Sequence, residues 1–151
     1  MDSEEIKTQV AKLNSLLEKL CNSKNQEKKI DFFFRMIRNS NICQVYLFEI
    51  NKYNFTDYDI TLGFSSDIYY DEMLLTIKNV SQINMSPWAN FFYCRILPVD
   101  QRFAFSLVNS LEDFELSRDY IIGEDFSFSI TESGLYNPYL QIIEELETSH
   151  L

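Results

Sequence analysis

The spacing of apolar residues changes once along the chain, and that change limits the fold more than any other feature. In SEEIKTQVAKLNSLLEKLCNS, Ile6, Val10, Leu13, Leu17 and Leu20 recur every three or four positions. That is the stripe of a half-buried helix. Ser3 is the expected N-cap, with Glu4 and Glu5 suited to the positive dipole end, and Asn22-Ser23 suits the end. A second helix is expected through NQEKKIDFFFRMIRN, with Ile30, Phe33, Phe34 and Ile37 on one face and Lys28, Lys29, Arg35 and Arg38 mostly off it. From residue 41 onward the period becomes two. ICQVYLFEI is apolar on both faces except for Gln44 and Glu49, which predicts a central strand.

The stretch FTDYDITLGF alternates strictly. As a strand it turns Tyr58, Ile60, Leu62 and Phe64 one way, and Asp57, Asp59 and Thr61 the other. NKYN before it is the expected turn, so the two strands form a hairpin. Residues 66–78 admit helix or strand. SPWANFFYCRILP predicts a buried helix, with Ser86 as N-cap, Pro87 at the first helical position and Pro98 as the stop. Residues 101–116 admit both states; the helical reading is favoured, with Asp100 as its cap. RDYIIGEDFSFSIT predicts a hairpin turning at Gly123-Glu124-Asp125, with Phe126, Phe128 and Ile130 inward. YNPYLQIIEELE predicts a closing helix, capped by Asn137, with Tyr139, Ile142, Ile143 and Leu146 on its apolar face. The expected architecture is a single α+β domain spanning 1–151. Helices fill 3–38, and a mixed body fills 41–151 with an antiparallel sheet built from hairpins and several packed helices.

A chain of 151 residues can bury about 70% of the surface exposed by its unfolded form, so it needs no staple. Cys21, Cys43 and Cys94 are odd in number and form no Cys-x-x-Cys pair, so they read as small hydrophobes in a reducing compartment. The polar, acidic start MDSEEIKTQV does not read as a signal peptide, and apolar runs are short, so a cytoplasmic location is expected. The net charge of −10 disfavours direct binding to nucleic acid and to anionic membranes, and it favours a basic partner. The charge is also uneven. Residues 1–38 carry eight basic and six acidic residues; residues 39–151 carry five basic and seventeen acidic. Single-sign blocks of this kind mark interaction faces.

Several chemistries lack their residues. The sole histidine, His150, is the penultimate residue, where the backbone cannot hold a base in register. Histidine-based nucleophilic catalysis and imidazole metal sites are therefore not expected. Gly63, Gly123 and Gly134 stand alone, so there is no phosphate-cradling loop. Asp57 and Asp59 could in principle hold magnesium or act as an acid/base pair, but two carboxylates on one strand face are more often solvated or in contact with a partner. No cofactor, metal or catalytic residue is expected, and the chain does not read as an enzyme. The acids instead sit among tyrosines in DIYYDEM, and tyrosine anchors interfaces because it is large, rigid and polar at its tip. The candidate partner-binding residues are Asp57, Asp59, Asp67, Tyr69, Tyr70, Asp71, Glu72, Glu124 and Asp125.

The block FTDYDITLGFSSDIYYDE, the acids of LEDFELSRDY and GEDF, and the absence of a catalytic set carry a resemblance to bacterial immunity proteins of contact-dependent growth inhibition and polymorphic-toxin systems. The resemblance is one of type across the whole chain rather than of motif. It implies a cytoplasmic inhibitor that binds a cognate protein toxin, often a basic nuclease, over or beside its active site. The alternative is a secretion chaperone holding an extended effector segment, which would be a dimer with apolar grooves. The sequence leaves the oligomeric state open.

Overall fold

A computed structural model describes residues 2–38, 44–67, 70–84, 88–90, 93–108, 119–132 and 144–148. The chain begins with α1 (Ser3–Asn22) and α2 (Gln26–Arg38). Nine strands follow among the described residues: β1 (Gln44–Lys52), β2 (Tyr58–Asp67), β3 (Tyr70–Lys78), β4 (Gln82–Asn84), β5 (Trp88–Asn90), β6 (Tyr93–Val99), β7 (Arg102–Val108), β8 (Tyr120–Gly123) and β9 (Asp125–Ile130). The fold is α+β, with two antiparallel sheets ordered β5-β1-β2-β3-β9 and β4-β8-β7-β6.

Asp2, not Ser3, caps α1: its carboxylate accepts the Glu5 N–H at 2.9 Å. Asn25 caps α2 in the same way, through the Lys28 N–H at 3.0 Å. The α1 stripe packs as its period predicts, with Leu13, Leu17 and Leu20 buried. Cys21 is buried beside them, and burial pushes its thiol up, which keeps it protonated and inert. The buried face of α2 keeps the expected Phe33 and Ile37, with Ile30 packed against the core, and adds Lys29, Phe32 and Met36, while Phe34 is only half-buried.

The two sheets are joined by one folded ribbon. β3 pairs with β9 from Met73↔Ile130 to Lys78↔Asp125, and β4 pairs with β8 from Gln82↔Ile122 to Asn84↔Tyr120. Between the two ladders, three residues on one side (79–81) face two on the other (123–124). That extra residue is a bulge, which bends a strand pair sharply. Asn79 takes it up with a φ of 50°, a left-handed conformation that asparagine tolerates. The backbone stays bonded through the fold: Glu124 N–H donates to the Lys78 carbonyl and Ser81 N–H to that of Ile122, both at 2.9 Å. Gly123 sits at the closest approach. A Cβ there would lie 2.7 Å from the Lys78 carbonyl oxygen and 2.6 Å from Ile77 Cγ2. That carbonyl is already fixed by Glu124, so Gly123→Ala should lose about 2–3 kcal/mol in urea unfolding. An unchanged midpoint would show that the fold of the ribbon can yield.

The fold corrects several expectations. Gly123-Glu124-Asp125 is not a hairpin turn: β8 pairs with β7 and β4, β9 pairs with β3, and the chain crosses between sheets at Glu124. The inward set is as predicted, with Phe126, Phe128 and Ile130 buried. The expected helix over 86–98 is instead β5 and β6, and the favoured helix over 101–116 is β7 as far as Val108. Asp100, at a φ of 57°, belongs to the tight β6–β7 turn rather than to a helix cap. Pro98 lies in β6, an edge strand, where a missing N–H costs no ladder bond. Residues 70–78 are strand. Of the expected closing helix, 144–147 is helical with Leu146 buried, and 133–143 lies outside the described residues, as does 109–118. One core cluster draws side chains from both helices and both sheets.

Candidate partner-binding surface

The nine predicted residues do not form one patch. β2 runs unbroken from Tyr58 to Asp67, so Asp59 and Asp67 are about 26 Å apart at strand rise. Asp67 and Tyr70 face each other in the β2–β3 register, Asp71 lies opposite Ser65, and Glu72 follows; all four sit at the far end. Glu72 is 5% exposed and its carbonyl accepts the Thr131 N–H, so it belongs to the interior. Tyr69 lies outside the described residues. At the near end the folded ribbon gathers the rest. Asp125 is in register with Lys78, Glu124 bonds to Lys78, and Asp59 accepts the N–H of Asn79 at 2.9 Å.

Two of these acids have internal duties. Asp59 Oδ1 holds the strained Asn79, and Oδ2 accepts the Tyr53 hydroxyl at 2.6 Å. Asp125 Oδ1 pairs with the Lys29 ammonium at 2.7 Å and accepts its own neighbour's N–H, that of Phe126, at 2.8 Å. Glu124 stands exposed, 3.8 Å from Arg102, a separation that contributes little. Asp57 is exposed but is not on the strand: it closes the turn that precedes β2.

That turn is stiff. Asn54 Oδ1 accepts from the N–H groups of Thr56 and Asp57 at 2.9 and 2.8 Å and from the Thr56 hydroxyl at 3.0 Å. Asn54 Nδ2 donates to Asp57 Oδ2 at 2.8 Å, and Tyr53 N–H donates to the Asp57 carbonyl at 2.9 Å. Asparagine thereby replaces the backbone partners that a five-residue loop lacks. The bonded loop presents Phe55 at 108% relative exposure. β1 leads into it with Leu47, Phe48 and Ile50 exposed, and with Phe48 as the extra residue of a bulge between Leu47 and Glu49. The far half of β1 and the turn therefore form a polar-and-apolar arm: Leu47, Phe48, Ile50, Tyr53 and Phe55 beside Glu49 and Asp57.

Sequence reasoning missed the apolar half of this arm. The two-faced apolarity of β1 indicated a central strand, and β1 does lie between β5 and β2. However, β5 pairs only with Gln44, Val45 and Tyr46. The available signal was the spacing of Glu49, Asn51 and Lys52 toward the end of the run. Tyr58, in contrast, packs inward against the core as expected.

The Tyr53–Asp59 bond has a measurable signature. The hydrogen bond to Asp59, and secondarily the charge of that carboxylate, raise the phenol above its usual pKa of 10.0. Tyr53 therefore stays protonated in the folded protein where the unfolded chain has begun to ionise. The resulting stabilisation is complete below about pH 10 and is lost as pH rises through the raised pKa. The difference between ultraviolet titrations of the wild type and Tyr53→Phe should isolate a late-ionising tyrosine; an ordinary midpoint would contradict the bond.

Among the described residues no three His, Cys, Asp or Glu side chains converge on a metal-sized site, and no helix is long and apolar enough to cross a membrane. Comparison with protein-family models, curated proteins and solved structures finds no match to this chain.

Proposed function

We propose that the protein is an immunity-type inhibitor, which binds and neutralises a basic toxin domain through the arm formed by β1 and the turn before β2. The observation that carries this reading is the stiff turn holding Phe55 fully exposed beside Tyr53 and Asp57, at the end of a strand that carries the exposed Glu49. An aromatic side chain held out by an already ordered loop loses little entropy on binding, and exposed aromatics are the usual anchors of an interface. The surrounding acids, in a chain of net charge −10, steer and orient a cationic partner. The far-end acids Asp67 and Asp71 play no necessary part, and Asp59, Glu72 and Asp125 support the fold that presents the arm.

The test is capture of partners from the source organism's extract at low and high salt, followed by assay of the captured protein with and without this chain. A basic protein whose toxic activity is abolished at equimolar inhibitor supports the reading. A partner whose activity is unaffected removes it. The exposure of Leu47, Phe48 and Ile50 also favours a second reading, a chaperone holding an extended effector segment. A dimer that retains a secreted effector at both salt concentrations would select that reading.

A further inference from the structure

We propose that the edge of β1 beyond Tyr46, open among the described residues, receives an added β-strand from a cationic segment of the partner. The inference rests on the reading that the arm binds a protein, and it specifies how. Tyr53 N–H bonds across to Asp57, and the register continues as Lys52↔Tyr58, Asn51↔Asp59 and Ile50↔Ile60. In an antiparallel ladder bonded and non-bonded pairs alternate, so the N–H and C=O groups of Lys52 and Ile50 point away from β2. The Tyr58 carbonyl agrees: it accepts from Val80, on the side away from β1. β5 covers the edge only at Gln44–Tyr46, and among the described residues no strand pairs with the rest.

The opposite edge of the same sheet is closed. Asn14 of α1 donates to the Ile130 carbonyl at 3.0 Å and accepts the Ile130 N–H at 2.8 Å, standing in for a neighbouring strand. One edge is thus blocked by a helix side chain, while the other presents backbone groups flanked by exposed Leu47, Phe48 and Ile50. Such an edge pairs readily with another chain. The Phe48 bulge and Lys52 limit it to a few residues. Charge chooses the occupant. Glu49 and Asp57 outweigh Lys52, and a second copy of this chain would bring a further −10 to the same edge. An incoming strand with an apolar residue opposite Ile50 and a lysine or arginine opposite Glu49 meets complementary groups at both positions.

The probe is a synthetic, end-capped ten-residue peptide alternating valine and lysine. Amide hydrogen exchange at Ile50 and Lys52, read by NMR, should slow on its addition. Ile50→Pro removes an N–H that β2 does not use, and it should weaken peptide binding about fivefold or more with the fold intact. If Ile50→Pro fails to fold, the same peptide N-methylated at alternate residues, which blocks its ladder edge, should bind the wild type correspondingly less. Absence of binding, protection elsewhere, or affinity indifferent to N-methylation would overturn the inference. So would protection of Ile50 that grows with protein concentration alone, since the occupant would then be a second copy. The immunity reading fails separately. A toxin still neutralised by a variant whose edge is blocked removes only the added strand, while edge protection by the peptide with no neutralised toxin removes only the immunity reading.

Discussion

Phe33→Ala should destabilise the protein by about 4 kcal/mol, with a fall in melting temperature of roughly 10 °C. Phe33 is 1% exposed and meets three rings edge-on: Phe64 of β2 at 6.1 Å, Phe126 at 6.2 Å and Phe128 at 5.4 Å, the last two on β9. Phe64 in turn meets Phe105 of β7 at 6.0 Å, so the cluster ties α2 to both sheets. Truncation removes the aromatic contacts and leaves a cavity among rings that regular strands hold in place, where collapse is difficult. Phe55→Ala, at the exposed tip, serves as the comparison and should change stability by less than about 0.5 kcal/mol. Equal losses for the two in urea unfolding would contradict the assignment of core and surface.

Asp125→Ala should cost about 3 kcal/mol, and Lys29→Met far less. The Lys29 side chain has no exposed surface, and its ammonium lies 2.7 Å from Asp125 and 4.1 Å from the centre of the Phe126 ring. Removing Asp125 leaves that ammonium buried without its counter-charge. The loss falls at the low end for a broken buried pair because the Asp125 side chain is 42% exposed and water can approach it. Replacing Lys29 with methionine keeps the apolar stem and removes the charge that burial penalises, while Asp125 becomes an ordinary half-solvated carboxylate. The asymmetry between the two variants is therefore the expected result. Equal costs would mean that the pair acts as an exposed salt bridge.

Periodicity made the two helices and the β1–β2 hairpin legible, because a helical stripe and a strict alternation each bury one face. It failed where a segment is apolar on both sides. Trp88–Asn90 and Tyr93–Val99 follow the helix-start pattern Ser86-Pro87, yet they are strands, and Pro98 marks a sheet edge and not a helix end. Lys29 is expected mostly off the apolar face of α2, because a charge on a helix usually meets water; its burial depends on Asp125, which is 96 residues away in sequence. The acids were legible as a block but not as a surface. Sequence order put Asp57 to Glu72 together, and a ten-residue strand separates them. What the sequence could not indicate was the fold at Asn79 and Gly123, which brings Asp59, Glu124 and Asp125 to one end and makes two of them structural. The exposed apolar half of β1 was hidden for a related reason: central and edge strands read alike until their neighbours are known.

The division between supporting and contacting acids alters which variants are informative. Changing Asp57, Asp59, Asp71 and Glu72 together would disturb the interior as well as the surface, since Glu72 is buried and Asp59 holds Asn79. Phe48→Ser, Glu49→Ser and Phe55→Ser, combined in one chain, alter exposed side chains of the arm and leave the bonds of the turn in place. The decisive measurement is neutralisation of the captured basic toxin by this triple variant beside the wild type, with both melting curves recorded. The proposed function predicts an unchanged melting temperature and a loss of affinity of about a hundredfold or more, the scale of interface anchors. Full neutralisation by a folded triple variant would contradict it.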